Sequence, residues 1–172
     1  MVRAWLLSEE KVLTPKYISL DELYKTSGVE YYQIDTNNYE DDPLLKNLIE
    51  QRDNHFVNKV EHLDDSDLIK HNTEHYHEHD EFRLIIHGCG YFDVRDKYDE
   101  WLRVEVIPGD LLVIPGGCYH RFVVDGNLEE FKGLRFLKDY GYKSYPRPND
   151  EMDCRKNYMR RLYNGAYDDP KE

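Results

Sequence analysis

The residues most suited to chemistry lie at 75–83, where histidine, glutamate and arginine recur at alternate positions. His75, His77, Glu81 and Arg83 all have odd numbers. A β-strand directs alternate side chains to one face, so an extended backbone would bring these four groups together. Two imidazoles and a carboxylate on one face can bind a single metal ion, with the guanidinium beside it. We therefore predict part of a metal centre here.

A later stretch supplies a further imidazole, and one position of the first stretch is ambiguous. The sequence Gly-Gly-Cys-Tyr-His-Arg-Phe at 116–122 places His120 in a strand-like run after a glycine-rich turn. His79 shares the odd parity of the first stretch and could bind the ion in place of Glu81. The other histidines, which we interpret as solvated polar residues, are His55, His62, His71 and His87.

Three neutral imidazoles and one carboxylate suit Fe²⁺, Ni²⁺, Co²⁺ or Mn²⁺. An octahedral ion with four protein ligands keeps two positions for water or substrate, so an ene-diolate could chelate it. Such an electron-rich substrate can itself reduce O₂, and the ion then acts as a Lewis acid and template. The ion and Glu81 together carry one positive charge, and a bound dianion would make the site negative. Because an unpaired buried charge is costly, we expect Arg83 close by, where it can stabilise developing negative charge.

The elements that must position these groups are short strands separated by Gly, Pro and Asp turns. Strands are predicted at 82–86, 91–94, 101–106, 111–114, 119–124 and 131–137. Short strands at even spacing are typical of a sandwich or barrel. We therefore predict a mainly β, jelly-roll-like β-barrel with a few flanking α-helices.

The flanking elements are predicted from capping signals and apolar patterns. Further strands are expected at 2–7, 31–34 and 57–60, and helical segments at 20–27, from 43 to about 49, at 66–70 and at 151–162. We expect one domain over 1–172. Its N-terminal region would cover about 1–72, the metal-binding core about 73–148, and a charged tail 149–172, with fraying over 168–172.

Composition narrows the possible partners. The 172 residues carry a formal net charge of −12, which disfavours nucleic acid and anionic membranes as partners. No window approaches the roughly 20 apolar residues of a membrane span, and the N-terminus becomes acidic too early for a signal peptide. Three scattered cysteines, Cys89, Cys118 and Cys154, indicate a reducing compartment. We expect a cytoplasmic monomer without membrane insertion, and leave an additional nuclear location open.

Two spacings in the sequence resemble the signature stretches of the cupin superfamily. They are His75-x-His77-x3-Glu81-x6-Gly88 and Gly109-x5-Pro115-x-Gly117-x2-His120. Ile69 stands where the first stretch normally begins with Gly, and Val124 stands where the second normally ends with Asn. Neither departure touches a candidate ligand, so both concern turns and packing.

Within the cupins, segments along nearly the whole chain resemble the acireductone dioxygenase family. They are Met-Val-Arg-Ala-Trp at the start, Asp-Glu-Phe-Arg at 80–83, Gly-Tyr-Phe-Asp-Val-Arg-Asp at 90–96, Tyr-His-Arg-Phe at 119–122 and Tyr-Pro-Arg-Pro at 145–148. His87 replaces an acidic residue and Cys89 replaces a small hydroxyl residue, both outside the ligand set.

The resemblance implies a single divalent ion held by three His and one Glu, and an enzyme of methionine salvage. Carried over by position, the ligands are His75, His77, Glu81 and His120. The substrate-facing arginine matches Arg83, and a second arginine matches Arg135 in Leu-Arg-Phe; either could instead form an ordinary surface ion pair. Phe92, Phe122 and Phe136 are candidates to wall the pocket against a thioether tail.

The family implies that the iron form converts acireductone and O₂ to formate and the keto-acid precursor of methionine. The nickel form would give formate, carbon monoxide and a methylthio acid. Two other classes of protein remain open from the sequence. One is a non-redox cupin isomerase that uses zinc or manganese and works without O₂. The other is a non-enzymatic regulatory cupin with a closed, structural metal site, although structural zinc usually prefers Cys-rich sets.

Overall fold

The structure is a computed structural model that describes residues 2–7 and 15–169. Within this part, the strands are β1 (Arg3–Leu6), β2 (Tyr17–Ile18), β3 (Glu30–Gln33), β4 (Phe56–Glu61), β5 (His75–Tyr76), β6 (Glu81–His87), β7 (Cys89–Arg95), β8 (Trp101–Val106), β9 (Asp110–Ile114), β10 (His120–Asp125), β11 (Lys132–Leu137) and β12 (Tyr145–Pro146). The α-helices are α1 (Leu20–Ser27), α2 (Pro43–Arg52), α3 (Asp65–Asn72) and α4 (Asp153–Tyr163). Fraying was predicted over 168–172, and of these residues 170–172 lie outside the described part.

The described strands form two antiparallel sheets. One has seven strands in the order β12-β5-β10-β7-β8-β1-β2, and the other has five in the order β3-β9-β6-β11-β4. The mainly β, jelly-roll-like prediction is confirmed. The difference is that hydrogen bonds do not close the sheets into one barrel in the described residues; the sheets instead pack face to face. Side chains of both contribute to one core, including Val94 and Val104 from the first sheet and Leu112 and Ile114 from the second.

Strand β6 shows how alternation separates the site from the core on the other side of the sheet. Phe82 and Leu84 are buried against Leu45 and Leu48 of α2. Ile85 points to the opposite face and packs into the core between the sheets. Because alternate residues share a face, Glu81 and Arg83 also point between the sheets.

Helices α1 and α2 begin where their capping signals predict. Ser19 caps α1 by accepting from the backbone N–H of Glu22, and α1 ends at Gly28, whose φ is 71°. Asp42 caps α2 in the same way, with Pro43 at its first position. The predicted turn at 66–70 belongs to the longer helix α3, which has a capping box. No helix in the described residues is both long and apolar enough to cross a membrane.

The stretch 75–83 is not extended along its whole length. The chain leaves the first sheet after β5, bends through 77–80, and enters the second sheet at β6. Asp80 stabilises this bend, because its carboxylate accepts from the backbone N–H of Gly116 at 3.0 Å and pairs with Arg52. The candidate ligands therefore come from both sheets and from the bend between them.

Candidate metal centre

Register brings the distant histidine beside the first pair. His120 of β10 and His75 of β5 are directly opposite each other in an antiparallel pair. His77 follows β5, and its carbonyl accepts from the backbone N–H of Gly117 at 2.9 Å. One side-chain nitrogen from each histidine lies within 4.8 Å of the others, and all three residues are buried. The three imidazoles thus form a group able to hold a metal ion, as the sequence predicts.

Hydrogen bonds at Nδ1 fix the tautomer and the orientation of these three imidazoles. The Nδ1 atoms of His75, His77 and His120 lie 2.6, 2.8 and 2.9 Å from the carbonyl oxygens of Thr73, Lys143 and Cys118. A carbonyl only accepts, so each Nδ1 carries the proton and each Nε2 carries a lone pair. The Nε2 atoms of His75 and His77 face each other at 3.2 Å. Lone pairs directed at one another in this way are suited to sharing a cation.

Glu81 completes the group from the opposite sheet. Its side chain is 1% exposed, and Oε2 lies 3.5 Å from Nε2 of His77 and 3.4 Å from Nε2 of His120. Oε2 and Nε2 of His120 have no hydrogen-bond partner in the described residues. Burial raises the pKa of Glu81, but the Arg83 guanidinium and the neighbouring imidazoles outweigh this effect and hold the pKa well below its usual range. The carboxylate is therefore ionised, as a metal ligand must be.

Two of the imidazoles, those of His75 and His77, are held in their neutral, ligand-competent form. Burial lowers the pKa of His75 to about 4, and the neighbouring His120 adds to the effect. Burial likewise lowers the pKa of His77 to about 3, even though the nearby Glu81 opposes the shift. Neutral imidazoles, an ionised carboxylate and two orphaned buried atoms fit a divalent cation.

His79, the alternative to Glu81, lies away from this group. It is exposed in the bend before β6, whereas Glu81 is buried between the sheets. The odd parity of His79 carries no structural meaning, because the bend interrupts the alternation on which the parity argument depends.

Arg83 lies two residues further along the same face of β6. Its Nε is 2.9 Å from Oε1 of Glu81, an ion pair without the alignment of a hydrogen bond, and its side chain is 5% exposed. Its guanidinium lies 5.5 Å from the ring centre of Phe92 and 6.0 Å from that of Phe122. Burial lowers the pKa of Arg83, although Glu81 opposes the shift. Arg83 is thus a buried cation at the edge of the centre, not a surface ion pair.

Arg135 is the neighbour of Arg83 across the β6–β11 pair. Its Nε is buried with no hydrogen-bond partner in the part of the chain that the structure describes, and its guanidinium lies 4.9 Å from the ring centre of Tyr142. Two arginines therefore flank a single buried carboxylate, Glu81. This excess of positive charge favours an anionic ligand.

The prediction for Phe136 is wrong. Phe136 packs on the outer face of the second sheet with Leu45 and Leu48, because it alternates with the inward-facing Arg135. Phe92 and Phe122 do lie between the sheets, with ring centres 4.5 Å apart.

Two residues of the site escape the sequence argument. Tyr142 lies in the segment between β11 and β12, and its hydroxyl donates to Oε1 of Glu81 at 2.7 Å. His71, near the end of α3, was interpreted as solvated, which is wrong. Its Nδ1 accepts from Nη2 of Arg83 at 3.5 Å, and burial, with the charges of Arg83 and Arg135, lowers its pKa to about 3. The spacing of the sequence motifs does not identify either residue. The position of His71, in the last turn of a helix that ends just before His75, was the one indication that it could lie near the site.

Comparison with known proteins identifies the family. The sequence model of the ARD/ARD' family matches residues 7–141. The acireductone dioxygenase of Drosophila melanogaster is 39% identical over 174 residues, which cover 93% of this chain and 94% of the relative. The acireductone dioxygenase of Gallus gallus is 37% identical over 94% of this chain and 97% of its own. This chain belongs to the acireductone dioxygenase family.

A solved member of the acireductone dioxygenase family shares the fold. The enzyme from Bacillus anthracis, described with a cadmium ion in its active center, superposes with a TM-score of 0.64 at 19% identity, covering 83% of this chain and 95% of that one. The predicted cupin-type fold is therefore confirmed. Family membership likewise confirms the prediction of a dioxygenase and removes the isomerase and the non-enzymatic cupin from consideration.

Proposed function

We propose that this chain is a metal-dependent acireductone dioxygenase of methionine salvage. Its substrate would be 1,2-dihydroxy-5-(methylthio)pent-1-en-3-one. The iron form would yield 4-methylthio-2-oxobutanoate and formate, and the nickel form 3-methylthiopropanoate, formate and carbon monoxide. The observation that carries the proposal is the convergence of three imidazole lone pairs and the unpartnered Oε2 of Glu81 between the sheets.

His75, His77, Glu81 and His120 would hold one divalent ion per chain. The donor set of nitrogen and carboxylate oxygen suits Fe²⁺ and Ni²⁺ alike, so the sequence and the donors are compatible with both metal forms. When bound, the ion would supply a Lewis-acidic template on which an ene-diolate and O₂ can meet. The cadmium in the Bacillus anthracis relative supports a divalent ion at the corresponding place.

Arg83 and Arg135 would bind the substrate as an anion and stabilise the negative charge that develops during oxygen attack. Arg83 has Glu81 as a counter-charge, whereas Nε of Arg135 has no partner in the described residues. Arg135 thus has spare hydrogen-bonding capacity at Nε and no ion-pair partner among the described residues. Phe92 and Phe122 would form an apolar wall for the methylthio end of the substrate.

Metal content tests the ligand assignment. Purified wild-type chain and the variants H120A, E81A and H79A would be loaded with Fe²⁺ or Ni²⁺ and analysed for bound metal. We expect one ion per chain in the wild type, loss of metal in H120A and E81A, and full retention in H79A. The matched control is H79A, because His79 is exposed two residues before Glu81. Full occupancy in E81A would mean that Glu81 is not a ligand.

Product analysis tests the reaction. The iron-loaded and nickel-loaded chains would be incubated with acireductone with and without O₂, and the products separated. We expect turnover only with O₂, a keto acid with iron, and carbon monoxide with nickel. Equal conversion under anaerobic conditions would refute the dioxygenase reaction.

A further inference from the structure

Tyr142 reaches the metal centre from outside both sheets. It lies in the segment 138–144, which leaves the second sheet after β11 and joins the first sheet at β12. The Tyr142 hydroxyl donates to Oε1 of Glu81 at 2.7 Å and also contacts Nε2 of His77. Its ring lies over the His77 imidazole, with centroids 3.9 Å apart and planes 30° apart. The Tyr142 side chain is therefore held in place both by its hydroxyl and by its ring.

We propose that Tyr142 is a positioning residue that restricts Glu81 to binding the ion through one oxygen. It would thereby keep a second coordination position open for a chelating substrate. This inference rests on the proposed function, because it requires Glu81 to be a ligand.

The two oxygens of Glu81 have different surroundings. Oε1 accepts from the Tyr142 hydroxyl and lies 2.9 Å from Nε of Arg83. Oε2 has no hydrogen-bond partner in the described residues and lies 3.4 Å from Nε2 of His120. The hydrogen bond from Tyr142 reduces the availability of Oε1 as a metal ligand, while Oε2 keeps its lone pairs. The carboxylate is thus presented to the ion with one oxygen free and the other engaged.

The single proton of the Tyr142 hydroxyl determines its partner once an ion is bound. Nδ1 of His77 donates to the Lys143 carbonyl, so Nε2 of His77 carries a lone pair that competes for this proton. Metal ligation would use that lone pair. Oε1 of Glu81 then remains as the acceptor for the hydroxyl, which stays neutral. Neighbouring residues 142 and 143 therefore orient both Glu81 and His77.

The consequence concerns the number of open positions. Carboxylates bind cations through one oxygen or through both. In an octahedral site, three imidazoles and a one-oxygen Glu81 leave about two positions, which a chelating ene-diolate needs; a two-oxygen Glu81 leaves about one. Without the Tyr142 hydroxyl, Oε1 has only the poorly aligned Arg83 to compete with the ion.

The test uses Mn²⁺ as the probe in the full-length chain. Water proton relaxation of the Mn²⁺-loaded protein reports the number of exchangeable waters on the ion. The Y142F variant removes the hydroxyl and keeps the ring over His77. Y140F is the matched control, because Tyr140 lies in the same segment and is 87% exposed. Mn²⁺ content is measured for each protein.

We expect about two bound waters in the wild type and in Y140F, and about one in Y142F, so the inner-sphere relaxation enhancement falls about twofold. The KM for acireductone should rise in Y142F while Mn²⁺ content stays unchanged. An unchanged water number in Y142F would overturn the inference, since Arg83 alone would then suffice. An increased water number, or lost Mn²⁺, would make Tyr142 a ligand and also overturn it. Failure of the wild type to bind Mn²⁺, or full binding in E81A, would instead refute the proposed function.

Discussion

Removing the charge of Glu81 should destabilise the metal-free protein strongly. Glu81 is 1% exposed and Arg83 5% exposed, and their charged atoms lie 2.9 Å apart. The variant E81Q would leave the Arg83 guanidinium buried without a counter-charge, with Arg135 directly across the strand pair. Breaking one side of a buried ion pair typically costs about 3–5 kcal/mol, so we expect a loss of that size in the free energy of unfolding.

The measurement is urea denaturation in the presence of a chelator, which keeps ligand binding out of the result. R83M should lose stability on a similar scale, because it leaves the Glu81 carboxylate unpaired. The double variant E81Q/R83M removes both charges and should lie within about 2 kcal/mol of the wild type. The matched control is E105Q, which breaks the exposed Arg3–Glu105 pair and should change the stability little, because solvent screens exposed ion pairs.

Two results would refute this reasoning. If E81Q were as stable as E105Q, the Glu81–Arg83 pair would not act as a desolvated ion pair. If the double variant lost as much as the sum of the single variants, the two side chains would not be energetically coupled, and the ion pair would not be the cause.

Further predictions concern turnover, pH and the bend. R83A should keep the metal, measured by metal analysis, and lose most turnover; unchanged kcat/KM would remove Arg83 from the site. The pKa values of His75 and His77, about 4 and about 3, lie below the unfolded value of about 6.5, so the unfolded chain binds more protons between those limits. These two groups should therefore lower the stability of the metal-free protein as pH decreases below about 6.5, contributing up to about 2.7 kcal/mol per pH unit, and a free energy of unfolding that does not change with pH across this range would contradict the shifts. G116A should weaken Ni²⁺ binding, because the new Cβ would collide with the Glu78 carbonyl beside His77; calorimetric titration would show an unchanged affinity if the bend adapts.

Local signals made most of the fold predictable. The helix caps and the alternating strands from residue 82 onward depend on neighbours within a few positions, which the sequence displays directly. The interruption of the strand at 77–80 depends instead on Asp80, whose partners Arg52 and Gly116 are 28 and 36 residues away. Likewise, whether the two sheets close into a barrel depends on pairing between edge strands that are distant in the sequence. The alternation of residues within one strand carries no information about that pairing.

The candidate site was predictable where it follows motif spacing and missed where it depends on tertiary contacts. Both histidine stretches have spacings that identify them, and register then brings His120 to His75. Tyr142 comes from an irregular segment, so no periodicity marks it. His71 looks like an ordinary polar residue near the end of α3, and only the packing of that helix brings it to Arg83.

The electrostatics of the site explain why this arrangement needs both an ion and an anionic substrate. Arg83 and the inward-facing Arg135 lie near one buried carboxylate, Glu81, and His75 and His77 are neutral, so these side chains alone carry an excess positive charge. A divalent cation increases that excess, yet the crowded lone pairs at Nε2 of His75, His77 and His120 favour its entry. A dianionic ene-diolate would offset most of the added charge. The same residues that make the empty centre costly therefore provide the free energy for binding cation and substrate together.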